Sequence, residues 1–135
     1  MKKVLFVALL IMSTATFAQE NTNKGVFKFE TDVINYGIIT QNANGKRTFS
    51  FKNVGTSPIV ISKVIASCGC TVPTKPEKAV LPGETATIEV TYATNRIGKF
   101  SKTITIISNA SESRKVLRIK GNILKNDNNL TVSNK

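Results

Sequence analysis

Apolar and polar residues alternate along most of this chain, and the alternation constrains its fold more than any other feature. In TATIEVTY, residues 85–92, the apolar side chains of Ala86, Ile88, Val90 and Tyr92 alternate with threonine and glutamate. Because successive side chains of a β-strand point to opposite faces, this pattern predicts a strand with one buried face. No stretch shows a sustained helical period, so an all-β fold is predicted.

Short segments of this kind follow one another, and turn residues separate them. Asn44-Gly45 suits a tight hairpin because both residues tolerate positive φ, and Pro82-Gly83 suits a type II turn. Together they predict an immunoglobulin-like antiparallel β-sandwich of about seven strands, with a small barrel as the alternative. The predicted strands are 25–30, 33–39, 46–52, 58–65, 85–92, 99–107 and 115–123.

The alternation also predicts which side chains face the core. Segment 58–65 is apolar at both parities, which is typical of a central strand or of one whose second face is also covered. The predicted inward residues are Ile34, Tyr36 and Ile38 in the second strand, Phe49 and Phe51 in the third, Phe100, Ile104 and Ile106 in the sixth, and Leu117, Ile119 and Ile123 in the seventh.

The N-terminal residues have the order of a secretory signal peptide. Two lysines precede an apolar run from Val4 to Met12, and small and polar residues follow up to Ala18. The run is far shorter than the ~20 residues that span a bilayer, so we expect cleavage after Ala18 and no transmembrane segment in the mature protein. The predicted location is periplasmic or secreted. The predicted divisions are a signal peptide at 1–18, a flexible N-terminus at 19–24, the sandwich domain at 25–124 and a polar disordered tail at 125–135.

Histidine is absent from the sequence, and this narrows the chemistry that the chain can perform. Without it there is no Ser-His-Asp triad, no Cys-His pair and no imidazole ligand for a metal. The 19 basic residues outnumber the 8 acidic ones, but they are scattered and no aromatic residues interleave with them, unlike in a nucleic-acid-binding surface. We therefore predict a protein that is not an enzyme, needs no cofactor and binds no nucleic acid. Its positive charge indicates either a solvated basic surface or attraction to an anionic envelope component, such as lipid head groups or acidic glycans.

Short motifs follow one another in a fixed order along residues 27–123. They are Tyr36-Gly-x-Ile39, Phe51-x-Asn53-x-Gly55-x-x-Pro58-Ile59, Ser67-Cys-Gly-Cys-Thr-x-Pro73, Pro82-Gly83, and Gly98-x-Phe100 with Ser108-Asn109. In this order they resemble the bacterial exported family called domain of unknown function 1573, and Cys-Gly-Cys-Thr is the most specific of them. The resemblance implies an immunoglobulin-like sandwich similar to domains of cilium- and centrosome-associated proteins and of periplasmic pilus chaperones. It implies no activity.

Cys68 and Cys70 are the two cysteines of the chain, and Gly69 separates them. Residues two apart in an extended strand have Cα atoms about 6.6 Å apart, near the upper limit for a disulfide, and a glycine can bend the backbone and shorten that distance. The pair can form a local disulfide, stay as free thiols, exchange with other disulfides or bind a soft ion such as Cu(I). A closed zinc site needs four ligands, which this chain does not supply, so no metal site is predicted.

The favoured interpretation is a local disulfide without a catalytic role, on a connection of an exported module that binds a partner or serves a structural role. Immunoglobulin-like domains make contacts through edge strands and end loops, and the partner here is expected to be a protein or an anionic envelope component. The alternative is a thiol redox or soft-metal-binding protein that uses the cysteine pair. The candidate contact residues are Ser67, Gly69 and Thr71 in the predicted loop 67–77, and Asn95 and Arg96 in the turn 95–98.

Overall fold

Residues 23–127 are described by the computed structural model, and they form eight β-strands in two sheets that pack face to face. The first sheet has the order β1-β3-β6-β5 and the second the order β2-β8-β7-β4. The strands are β1 Phe27–Phe29, β2 Val33–Thr40, β3 Lys46–Asn53, β4 Ile61–Ala66, β5 Thr71–Thr74, β6 Thr85–Tyr92, β7 Gly98–Ser108 and β8 Arg114–Leu124. The predicted sandwich is confirmed, with one strand more than expected.

The core lies between the sheets and contains most of the side chains that the alternation predicts. Both sheets contribute fully buried residues, and burying each Leu or Ile side chain contributes roughly 1.5–3 kcal/mol relative to leaving it in water. The apolar residues with at most 1% exposure are Phe49, Phe51, Ile59, Ile88, Val90, Ile104, Ile106, Leu117, Ile119 and Ile123.

The additional strand is β5, which pairs antiparallel with β6 at the edge of the first sheet. The prediction of a single loop over 67–77 is therefore wrong, because Thr71–Thr74 is extended and hydrogen-bonded. The segment is short and contains Pro73, which lowers its strand propensity. An edge strand accommodates proline because one side of the strand has no ladder to complete.

In β2, the alternation breaks at a bulge. The register against β8 shifts between Asn35 and Ile38, and Gly37 between them has φ of 67°. After the bulge Ile38 is 72% exposed, whereas Ile39 packs against the core, so the prediction that Ile38 faces inward is wrong. β2 and β8 also run parallel, which departs from the predicted all-antiparallel arrangement.

Asn44-Gly45 does not form a hairpin, because β2 and β3 belong to different sheets. The positive φ in this connection is at Asn42, with φ of 65°. Gly45 is required for a different reason, since a Cβ there would overlap the carbonyl oxygen of Tyr92. The turn at Pro82-Gly83 is confirmed, because Gly83 has φ of 83°.

Segment 58–65 also differs from its prediction. Ile59 forms an isolated bridge with Val80, and the continuous strand begins only at Ile61. The second face of the segment is not covered within residues 23–127, because Val60 and Ile65 are each 50% exposed.

At the ends of the described range, Asn23 and Lys24 are hydrogen-bonded to the domain. The hydroxyl of Ser57 donates to the carbonyl oxygen of Asn23 at 2.8 Å, and the amide of Thr56 donates to that of Lys24 at 3.1 Å. The predicted signal peptide, residues 19–22 and residues 128–135 of the predicted tail lie outside the described residues. Between residues 23 and 127, no helix has the length and apolarity needed to cross a membrane.

Candidate functional site

The cysteine turn, residues 67–70, carries the chain from β4 of the second sheet to β5 of the first. At its start, the amide of Ser67 donates to the carbonyl oxygen of Thr103 at 2.9 Å, and the amide of Thr103 donates back to the Ser67 hydroxyl at 3.1 Å. At its end, the amide of Ala93 donates to the carbonyl oxygen of Cys70 at 2.8 Å. Both sheets therefore hold the turn in place.

Within this turn, Cys68 and Cys70 are a close pair with their sulfurs within bonding distance. Their Cα atoms are 5.3 Å apart, shorter than in a straight strand and inside the range of disulfides. Cys70 is buried and Cys68 is half-buried. The hydroxyl oxygen of Thr71 lies 3.6 Å from the Cys68 sulfur and 3.9 Å from the Cys70 sulfur.

Three connections meet at this end of the sandwich, and together they form what we call the loop end: residues 41–45, the cysteine turn and residues 93–97. Backbone amides of Asn42 and Tyr92 donate to the carbonyl oxygens of Thr94 at 3.1 Å and Gly45 at 3.0 Å. The Thr94 hydroxyl donates to Ala43 at 2.6 Å. Such bonds fix the relative positions of connections that come from both sheets.

The predicted contact residues are distributed unevenly over the loop end. Ser67, Gly69, Asn95 and Arg96 are exposed there, and the bond between Ala93 and Cys70 brings their two segments together. Thr71 is only 3% exposed and begins β5, so its prediction as a contact residue is wrong. Residues 75–77 of the predicted loop follow β5 and do not belong to the loop end.

Residues 41–45 were missed by the sequence reasoning, which assigned Asn44-Gly45 to a hairpin. A signal was present, since Asn42 and Asn44 precede the glycine closely and asparagine tolerates left-handed backbone. The pattern does not say that the connection crosses between sheets. Ile97 is 55% exposed at the loop end, and the sequence reasoning did not select it as a contact residue either.

Beneath the loop end lies a cluster of aromatic side chains. The rings of Tyr92 and Phe100 stack with centroids 3.9 Å apart, and the Tyr36 ring meets Phe100 edge-on at 5.2 Å. The Tyr36 hydroxyl donates to the carbonyl oxygen of Gly45 at 2.7 Å. Burial raises the pKa of Tyr36, and the guanidinium of Arg47, 4.2 Å above its ring, opposes that rise. The cluster supports the loop end from below, and its two tyrosines are core residues.

Metal-binding groups are not clustered in the described part of the chain. No three side chains of His, Cys, Asp or Glu converge on one point among residues 23–127. Only in its reduced form does the cysteine pair offer two thiolates, which is the donor set for a two-coordinate soft ion and not for a closed zinc site.

Solved structures similar to this chain share its fold at low sequence identity. A protein of unknown function from Porphyromonas gingivalis W83 matches with a TM-score of 0.66 and 15% identity, over 79% of this chain and 51% of that one. The PapD-like domain 7 of human CEP192 matches with a TM-score of 0.58 and 6% identity, over 78% and 88%.

A third similar structure is the CsuC-CsuE chaperone-tip adhesion subunit pre-assembly complex of Acinetobacter baumannii. It matches with a TM-score of 0.53 and 12% identity, over 72% of this chain and 56% of that one. These likenesses show an immunoglobulin- or PapD-like sandwich. This chain spans about half the length of the Porphyromonas protein.

Sequence comparison gives the family. No curated protein matches the sequence. The family model described as protein of unknown function (DUF1573) matches residues 27–123, which include all but the last residue of the eight strands. The chain therefore belongs to the DUF1573 family.

Proposed function

We propose that this protein is an exported, non-catalytic binding module of the bacterial cell envelope, and that it contacts a partner protein through the loop end. The observation that carries the proposal is the hydrogen bonding of three connections to one another across both sheets. Loops on a rigid scaffold are the usual position for binding residues in β-sandwiches. Exposed side chains and backbone at Gly69, Asn95, Arg96 and Ile97 provide the contact surface.

The cysteine pair has a structural role in this proposal. We assign it a local disulfide, which fits an oxidising compartment and so agrees with export. A three-residue loop gives a chain-entropy stabilisation of only about 1.6 kcal/mol. The effect on the whole fold is small, but a cross-linked turn loses less conformational entropy when a partner orders it.

A capture experiment tests the contact surface. The protein and a variant with Arg96→Ala and Ile97→Ala are immobilised and exposed to envelope extracts of the source bacterium. The matched control carries Lys52→Ala and Val54→Ala, which remove similar side chains at the opposite end of the sandwich. We expect the loop-end variant to retain at least about tenfold less of a specific protein, because truncating a central hot-spot residue, a class enriched in arginine, costs about 2 kcal/mol or more.

Two outcomes would contradict the proposal. The first is that the unaltered protein enriches no envelope protein over a blank support. The second is that the loop-end variant and the control variant lose the same protein to the same extent, which would mean that the loop end is not the contact.

Redox exchange by the cysteine pair is the second candidate function, and the partial exposure of Cys68 favours it. Cys68 is half-buried between the exposed residues Ser67 and Gly69, and a disulfide in such a position can exchange with an external thiol that reaches it. This candidate requires a reduction potential in the range of exchanging disulfides. A measured midpoint below about −300 mV, together with unchanged partner capture by Cys68→Ser, excludes it.

A further inference from the structure

The second sheet has an unusual charge composition. Its four strands contain seven basic residues and no acidic residue, whereas the first sheet includes Glu89 on β6. Five of the seven basic side chains point outward, away from the core, and all five are exposed. We call this outward surface the cationic face; its basic residues are Lys63, Lys99, Arg114, Arg118 and Lys120.

Strand pairing places these side chains in adjacent rows across the sheet. Lys63 of β4 and Arg114 of β8 flank Ile107 of β7 at one end. Farther along β8, Arg118 and Lys120 lie on successive outward positions, and Lys99 of β7 is the outward neighbour of Asn122. Four strands spaced ~4.8 Å apart, the longest with 11 residues, give a surface of roughly 15 by 35 Å.

Carboxylates do not neutralise this surface within the part of the chain that the structure describes. The ion pairs found there join Lys46 to Glu89, and Lys115 to Asp32 and Glu112. None of these pairs includes a basic residue of the cationic face. The side chain of Arg118 donates instead to the hydroxyl of Ser101 at 3.1 Å. The basic side chains of the face are therefore not ion-paired within residues 23–127.

Aliphatic side chains lie among the basic ones. Of the eleven large apolar side chains that are exposed within residues 23–127, five belong to this face. Ile38 is 72% exposed because the bulge in β2 turns it outward. The other four are Val33, Ile65, Val116 and Leu124.

A shallow depression lies beside the bulge in β2. Its volume is about 640 Å³, and its lining includes Lys99, Lys120, Asn122 and Ile38. The two lysines come from neighbouring strands and stand over one concavity, next to amide and apolar groups. This arrangement can receive a phosphate-bearing head group, with the ammonium groups on the phosphate and Ile38 toward the acyl region.

We propose that the cationic face docks the domain on the surface of a bilayer that contains anionic phospholipids. Lysine- and arginine-rich surfaces with interspersed aliphatic groups bind such bilayers through charge and shallow apolar burial. The inference deepens the proposed function and rests on its export for access to a membrane surface. It uses a different face of the molecule from the loop end.

Other anionic partners fit this surface less well. Protein interfaces are depleted in lysine and enriched in arginine, aromatic residues and methionine; this face has two arginines, but it also has three lysines and no outward aromatic residue or methionine. Single-stranded nucleic acid is bound on aromatic platforms, and every aromatic ring within residues 23–127 is buried or half-buried.

Vesicle co-sedimentation tests the proposal. The protein is expressed full-length in its bacterial host and purified as the cell leaves it, together with the variant K99Q/R118Q/K120Q. A control, K28Q/K52Q/K75Q, removes the same charge from exposed positions off the cationic face. Partitioning is measured on phosphatidylcholine vesicles with and without phosphatidylglycerol, at low and high salt.

We expect salt-sensitive binding to the anionic vesicles only. Each basic residue near an anionic surface contributes about fivefold to partitioning, so the face variant should bind about a hundredfold more weakly. The control should bind within a few-fold of the unaltered protein, and Ile38→Ser should bind more weakly without any change in charge.

Several results would overturn the proposal. One is that the unaltered protein does not bind anionic vesicles. Another is that the face variant and the control lose vesicle binding equally, which would mean that binding depends on net charge and not on a docking face. Tighter binding to a soluble acidic polymer, such as polyglutamate or alginate, would assign the face to a different class of partner. Failure of this proposal can be distinguished from failure of the proposed function. The vesicle-binding variants leave the loop-end residues unchanged, and the capture variant leaves the residues of the cationic face unchanged.

Discussion

Asn53 is a fully buried polar residue whose side chain holds several backbone segments together. Its amide nitrogen donates to the carbonyl oxygens of Ser57 at 2.8 Å and Val80 at 2.9 Å. Its side-chain oxygen accepts from the amides of Val26 at 3.2 Å and Gly55 at 3.0 Å. The residue thus bonds four backbone groups at the end opposite the loop end, and the Val80 carbonyl oxygen accepts from the Ile59 amide as well.

Replacement of Asn53 should be strongly destabilising. We expect Asn53→Ala to lower the free energy of unfolding by about 3–5 kcal/mol, since each lost bond to a buried group costs roughly 1 kcal/mol. Asn53→Asp keeps the size but sets an acceptor against two carbonyl oxygens, so it should cost at least as much. Urea unfolding measures both. Asn109→Ala is the control, because Asn109 bonds similarly to Val60 and Pro58 but is exposed, and it should cost about 1 kcal/mol or less. An Asp variant as stable as the unaltered protein would contradict this role.

Replacement by alanine should change the stability of the protein differently at two glycines of the loop end. At Gly45 a Cβ would overlap the carbonyl oxygen of Tyr92, whereas at Gly69 it meets nothing within 4 Å. We expect Gly45→Ala to destabilise by about 1–3 kcal/mol and Gly69→Ala to change stability by less than about 0.5 kcal/mol. Thermal and urea unfolding compare them. Equal effects at both positions would show that residues 41–45 are not packed against β6 as described.

At the scale of elements, the strands with strict alternation were predictable and the irregular ones were not. β3, β6 and β8 bury the side chains that the two-residue alternation assigns to the core, because one face of each strand packs on the core and the other faces solvent. β5 was missed because four residues with a proline carry too little pattern. The cross-sheet path of residues 41–45 was missed because turn chemistry reports local backbone preference and not which sheet receives the next strand.

The bulge in β2 depends on the left-handed backbone of Gly37. We expect Gly37→Ala to destabilise by about 1–2 kcal/mol, although a Cβ there has open space, because φ of 67° is strained for an L-residue. Gly37→Asn should recover part of the loss, since asparagine tolerates this conformation. Urea unfolding of the two variants provides the comparison. If the Gly37→Ala variant were as stable as the unaltered protein, the bulge would not depend on a positive φ at this position.

In the candidate site, sequence reasoning found the pair Cys68 and Cys70 and the exposed residues beside it. It did not find the cationic face, although the basic residues were visible in the sequence. Basic residues along separate strands can be assigned to one shared face only when the register and the partner strands are known. The pairing of β7 with β8 supplied this information. The exposure of Ile38 depends on a bulge that the alternation does not reveal.

At the scale of the whole molecule, the core that stabilises the fold and the surfaces that we propose for contact are different parts. The core between the sheets stabilises the fold, and the two proposed contact surfaces, the loop end and the cationic face, lie away from it. The cysteine pair closes a loop of three residues, so it is expected to order the loop end without supporting the sandwich.

Amide hydrogen exchange on the variant C68S/C70S tests this division most directly. We expect its global unfolding free energy to fall by about 1.6 kcal/mol from the lost cross-link, and by about 1–3 kcal/mol more because Cys70 is buried and serine places a hydroxyl there. Exchange should accelerate at the amides of Thr71 and Ala93, which are bonded to Cys68 and Cys70, while β3, β6, β7 and β8 stay protected. Loss of protection throughout both sheets would contradict the account, because the cysteine pair would then be supporting the fold.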